Sequence, residues 1–113
     1  MATYDHLPVY KASYDLLVDI FRFTSNFTRD YKYTIGESIK NVTIEMITNI
    51  YRANSSYSKK MIIQSARENL EVIRLFLRLL KDLKQVSLKK FVQINEKIES
   101  VSKQLTAWQR SSK

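Results

Sequence analysis

The sequence predicts an all-α protein, a four-helix bundle running up, down, up and down and closed into a homo-oligomer. Three observations carry the bundle. One Gly and one Pro in 113 residues cannot punctuate the many turns of a β-sandwich or barrel. Apolar residues recur at three- and four-residue steps in four separate stretches. The connections between those stretches are short, which makes neighbouring helices antiparallel. At this length a single domain, spanning 1–113, is the expectation.

The first helix spans about 8–26. Pro8 suits a first helical position, because its φ is preset and its missing N–H has no partner there in any case. Val9, Ala12, Leu16, Ile20 and Phe23 form its core stripe. Asn26 to Tyr33 breaks the pattern and reads as a loop. The second helix, about 34–54, opens on Thr34-Ile35-Gly36-Glu37, which predicts a capping box: the Thr34 hydroxyl accepts from the N–H of Glu37, whose carboxylate reaches back. Ile35, Ile39, Val42, Met46, Ile50 and Ala53 are its apolar stripe, and Asn54-Ser55-Ser56 ends it.

The third helix, about 58–83, carries Ile63, Ala66, Leu70, Ile73, Leu77 and Leu80 at alternating steps of three and four. The fourth, about 87–110, begins at Ser87, a good N-cap. It repeats the alternation with Phe91, Ile94, Ile98, Val101, Leu105 and Trp108. Arg110 to Lys113 is expected to fray.

Two helices are apolar on more than one face. Tyr10, Tyr14, Leu17 and Phe21 make a second seam on the first helix. Val72, Phe76, Leu79 and Leu83 widen the apolar arc of the third beyond the ~100° that a surface helix needs. Deep burial in a monomer would account for both, and so would a subunit interface. A small bundle has little interior in which to hide two wide arcs, so the interface is the expectation.

Charge narrows the partners. Nineteen Lys and Arg against eleven Asp and Glu give +8, a balance suited to nucleic acid or another polyanion. From Lys59 to Lys90 nine basic residues face three acidic ones, so most of the excess sits in under a third of the chain. Lys60, Arg67, Arg74, Arg78 and Lys81 fall within about 80° on the third helix. Such a row can follow a phosphate backbone, with Arg adding bidentate geometry, although a solvated face would look similar. In Arg29-Asp30-Tyr31-Lys32-Tyr33 cations alternate with aromatics, as in single-strand stacking sites; simple closure of the bundle end explains the tyrosines equally directly.

Several chemistries are excluded. Without Cys there are no disulfides, zinc–thiolate sites or cysteine nucleophiles. The lone His6 reads as a solvent-facing residue ahead of the first helix, and no Glu-x-x-His pair supports a carboxylate-bridged metal centre. Asp15 and Asp19 have Lys11 and Arg22 nearby as intrahelical partners. No phosphate-binding glycine loop or nucleophile elbow is present. The expectation is a non-enzyme without metal or cofactor. No apolar run is long enough to span a bilayer and the first residues lack signal-peptide character, so a cytoplasmic protein without membrane contact is expected. Three sequons, at Asn26, Asn41 and Asn54, then read as chance.

Three stretches resemble a known family. They are Leu7-Pro8-Val9-Tyr10-Lys11-Ala12-Ser13-Tyr14-Asp15-Leu16-Leu17, Phe27-Thr28-Arg29-Asp30-Tyr31-Lys32-Tyr33-Thr34-Ile35-Gly36 and Ile50-Tyr51-Arg52-Ala53-Asn54. They look like the accessory variability determinant (Avd) proteins of diversity-generating retroelements. A broader relative is the four-helix-bundle family encoded in ribosomal RNA intervening sequences. Those proteins carry an Asn-Ile-Ala-Glu-Gly type ending on the second helix, where this chain has Asn49-Ile50-Tyr51-Arg52-Ala53-Asn54. The resemblance implies a non-enzymatic bundle, assembled as a pentamer. It further implies binding to DNA or RNA and association with a reverse transcriptase, in support of mutagenic copying of a template repeat into a variable gene. Lys60, Arg67, Arg74, Arg78 and Lys81 are then the expected phosphate contacts, with Arg52 and Lys32 beside them. Tyr10, Tyr14, Leu17 and Phe21 are the expected subunit interface. The competing expectation is an adaptor whose basic face binds an acidic protein.

Overall fold

The computed structural model describes residues 7–112, so His6, the other residues before Leu7, and Lys113 lie outside the account that follows. Four long helices carry the chain: α1 (Pro8–Thr24), α3 (Ile35–Ser55), α4 (Lys60–Asp82) and α5 (Leu88–Ser111), with a single turn, α2 (Arg29–Lys32), between the first two. Among the described residues there is no strand. The molecule is rod-shaped, 43 × 23 × 21 Å. α1 packs on α3 and α5, and α4 packs on the same two helices from the other side.

The stripes read from the sequence line the core. Leu16, Ile20, Ile39, Met46, Ile50, Ile63, Leu70, Ile73, Leu77, Leu80, Ile94 and Ile98 are the largest fully buried side chains. Dispersal of these residues over all four long helices means that no helix can leave without exposing apolar surface, which is the main source of stability here. Asn49 is a buried polar exception. Its amide donates to Asn69 Oδ1 at 2.8 Å across the α3–α4 junction, and its own oxygen accepts from Arg52 at 3.3 Å.

Cross-helix pairs mark how the long helices lie together. Lys97 on α5 meets Asp19 on α1, and Trp108 lines a groove with Pro8 near the start of α1. Arg67 donates to Gln109, Arg74 pairs with Glu99, and Lys81 lies over the ring of Phe91 at 4.9 Å, so residue numbers fall along α5 as they rise along α4.

The ends of the helices correct several expectations. Pro8 is the first residue of α1 and Ser87 accepts from the N–H of Lys90 at 3.1 Å, both as the sequence predicts. The capping box at Thr34 does not form. The Thr34 hydroxyl instead donates to the Asp30 carbonyl at 2.6 Å, and Glu37 is taken by Lys40 at 2.9 Å. The reason is α2: the stretch read as a loop contains a helical turn whose carbonyl competes for the hydroxyl. α1 stops at Thr24, short of the expected 26, and α4 starts at Lys60 rather than 58. α5 stays helical through Ser111, so fraying does not begin at Arg110.

Two local devices set the corners. Gly36 is buried, and a Cβ there would stand 3.1 Å from the Tyr31 carbonyl, so the turn between α2 and α3 closes tightly only over a glycine. At the C-terminus of α4, Lys84 adopts φ 61°. The N–H of Gln85 bonds to Leu80 O at 2.9 Å and that of Lys84 to Lys81 O at 3.0 Å, the Schellman arrangement with Lys where Gly is usual.

Candidate nucleic-acid interface

The basic row lies on the flank of α4 that turns toward α5, and the structure gives most of its members partners. Arg67 is half-buried against α5 by its bond to Gln109, whose amide in turn donates to Lys60 O and Gln64 Oε1 at 3.0 Å each. Arg74 is clamped between Glu71, 3.3 Å away on its own helix, and Glu99 on α5. Lys81 is held over Phe91 as a cation–π pair. Arg78 is the most open of the arginines, with only a 3.5 Å exposed pair to Asp82, and Lys60 is exposed at the start of the helix. The row is thus a continuous charged edge, partly ordered by α5.

The two outlying cations sit elsewhere. Arg52 is exposed in the last turn of α3, where its charge favours the helix C-terminus, and it also donates to Asn49. Lys32 is half-buried in α2, 5.9 Å from the Tyr33 ring centre. Neither joins the α4 row. Within the stretch 29–33 the aromatics separate: Tyr31 packs against the core while Tyr33 stays exposed. Phe27, just before it, is buried edge-on to Phe23 at 5.5 Å.

One cation is spent internally. Lys59 Nζ donates to the carbonyls of Ala53 (3.0 Å), Asn54 (3.1 Å) and Ser56 (2.7 Å), closing the C-terminus of α3 with a positive charge. Asp19, expected to pair within α1, pairs with Lys97 of α5 instead. Periodicity within one helix cannot reveal a partner 78 residues away.

The expected interface seam on α1 is divided. Tyr14 and Phe21 are 49% and 47% exposed, whereas Tyr10 and Leu17 are half-buried. The Tyr10 and Tyr14 rings stack at 6.4 Å, and Lys40 of α3 lies 5.1 Å over Phe21. Tyr14, Leu17, Val18, Phe21 and Arg22 line a shallow groove of about 410 Å³. Across the α1–α3 junction Ile44 and Tyr51 are also substantially exposed, two residues that the sequence reading placed in no seam. Their spacing of seven is the signal that would have found them.

On α4 Phe76 turns inward against the core, while Val72 and Leu79 are exposed together with Met61 and Leu75. The second seam of α4 therefore points to solvent, and it includes Leu75, three residues after Val72.

Among the described residues no group of His, Cys, Asp and Glu is placed to hold a metal ion, and no helix is long and apolar enough to cross a membrane. A comparison with curated proteins yields no match. The sequence profile of the bAvd-like family does match, over residues 9–112, and so takes in all five helices but for the first residue of α1. The chain belongs to the bAvd-like family.

Proposed function

We propose that this protein is a non-enzymatic, nucleic-acid-binding accessory subunit. It acts beside the reverse transcriptase of a diversity-generating retroelement, in support of mutagenic copying of a template repeat into a variable gene. Family membership supports the accessory role. The observation that carries nucleic-acid binding is the row Lys60, Arg67, Arg74, Arg78 and Lys81 on one flank of α4, continued at its far end by Lys84, Lys89 and Lys90. Anchored guanidinium groups lose less side-chain entropy when a phosphate arrives, so partial ordering by α5 is compatible with binding. The site offers charge and no base-reading motif, and the contacts fall on phosphate rather than base edges.

The bundle itself runs up-down-up-down in this reading, supported by the descending pairs between α4 and α5 and by Asp19–Lys97 with Pro8–Trp108 between α1 and α5. Copies assemble into a closed homo-oligomer, five in the resemblance, through the exposed Tyr14 and Phe21. Assembly multiplies the basic row and raises avidity without a new contact.

The test is oligonucleotide binding by the full chain as a function of salt. Affinity is expected to fall steeply between about 50 and 200 mM salt and to depend little on sequence. Replacing Arg67, Arg74 and Arg78 together by Gln keeps helix propensity and is expected to lower affinity at least tenfold, about 1.4 kcal/mol, with a flatter salt slope. A triple variant that binds as the parent does overturns the site. Salt-independent or strongly sequence-selective binding overturns the phosphate mode. No oligonucleotide binding, with capture of an acidic protein by the same row, favours the adaptor reading instead.

A further inference from the structure

The outer face of α4 has an unusual composition. Met61, Val72, Leu75 and Leu79 stand within an arc of about 60° with Glu68 among them. Met61 is 83% and Leu75 64% exposed. The other sides of the helix are covered by the core, by α3 through Asn69, and by α5 through Arg67, Arg74 and Lys81. The steps from Glu68 through Val72 and Leu75 to Leu79 are four, three and four, the spacing of a helix that packs on another surface. Glu68 is exposed and has no partner among the described residues, although Glu71 and Asp82 of the same helix are both paired with arginine.

A second uncovered apolar surface lies at the α1–α3 junction, formed by Tyr14, Phe21, Ile44 and Tyr51. Here the matching charge is positive. Arg22 lines the groove beside Tyr14 and Phe21, and its guanidinium has no partner among the described residues. Lys11 and Lys40 add to the same sign, Lys40 over the Phe21 ring.

We infer that these two faces bind each other between copies. The α1–α3 face of one chain docks on the outer face of α4 in the next, with Arg22 meeting Glu68 of that neighbouring copy. The inference rests on the assembly proposed above and supplies its missing half. A ring of more than two copies in cyclic symmetry needs two different patches per chain, whereas a single self-complementary patch stops at a dimer. Charge selects the same pairing. Face against like face would bring Glu68 toward Glu68, or Arg22 toward Arg22, and like-charge contacts are penalised. Unlike faces pair the one unpartnered acid of the α4 stripe with the unpartnered guanidinium of the groove, and they remove both apolar patches from water.

Complementation between two damaged copies tests this directly, with light scattering and circular dichroism as readouts. Phe21→Glu spoils the α1–α3 face and Leu75→Glu spoils the α4 face; both residues are exposed, so helical content is expected to persist. Each variant alone is expected to fall to the 13.4 kDa of one chain. Mixed in equal amounts, they are expected to form a species of twice that mass and nothing larger, because each keeps the face that the other needs. Should either variant unfold, Arg22→Glu and Glu68→Arg replace it: each alone weakens assembly and the double variant restores it. A parent chain that is already monomeric overturns the assembly reading itself. A parent that assembles while Leu75→Glu keeps its mass overturns only the pairing, and assigns the α4 face to another protein such as a polymerase subunit. Two dissociated variants that do not combine on mixing also overturn the pairing.

Discussion

The flank of α4 toward α5 and the face of α4 toward solvent carry opposite kinds of side chain in opposite states. Toward α5 the residues are cations, the very groups that could remain in water unaided. Yet Arg67, Arg74 and Lys81 are each engaged by Gln109, Glu99 or Phe91. Toward solvent the residues are Met61, Val72, Leu75 and Leu79, the groups that water disfavours, and nothing in the chain covers them. A helix stabilised only as part of a monomer would be arranged the other way round, with its apolar residues inside and its loose charges outside. Charges held in place and apolar groups left free indicate two intermolecular roles on one helix, ordered by a third face that is ordinary core.

That contrast can be broken most forcefully at adjacent turns. Leu77, 1% exposed, belongs to the core face, and Leu77→Ala is expected to cost about 2–5 kcal/mol in urea unfolding at dilutions where single chains dominate. Leu75→Ala under the same conditions is expected to stay within about 0.5 kcal/mol of the parent. Comparable losses at both positions would mean that the outer face is structural.

The third side of α4, toward α3, lies between these extremes. Asn49→Ala removes the donor to Asn69 and the acceptor for Arg52 at a buried site, and about 1–2 kcal/mol of stability is expected to go with them. A neutral result would show that the pair is dispensable to the α3–α4 packing.

The finest probe acts on the charged flank alone. Glu99→Gln releases Arg74 from its partner on α5 and removes one acid from the edge. Folding stability is expected to fall by about 0.2–1 kcal/mol, as for an exposed pair, while oligonucleotide affinity at low salt rises about twofold to threefold. Weaker binding would mean that the clamped geometry of Arg74, rather than its charge, is what a phosphate needs.

Much of this architecture was legible in the chain itself, and the failures share a cause. Pro8 and Ser87 act within their own first turns, so their roles follow from neighbours in sequence. The core stripes were equally legible, because burial repeats with the helical period. Thr34 misled because its hydroxyl had a second acceptor, the Asp30 carbonyl of a turn too short to show any period. Asp19 and Arg74 misled because their partners, Lys97 and Glu99, come from a helix whose register no local pattern fixes. For the basic row, composition located the charge but not its commitments. Leu75 and Met61 escaped because the apolar arc of α4 is so wide that its outermost members resembled extensions of the core rather than a separate surface.

Lys59 gives the corner between α3 and α4 a property of its own. Helix ends are ordinarily where a protein opens first, exchanging amide hydrogens long before the core does. Here one ammonium group, carried by the residue just before α4, grips three carbonyls at the end of α3 and thereby joins two helices that would otherwise loosen separately. Opening this corner requires breaking all three bonds at once, so α3 and α4 share a single unit of unfolding. Tyr57, at the tip and almost wholly exposed, rides on that unit as a fixed projection rather than as part of a loose loop.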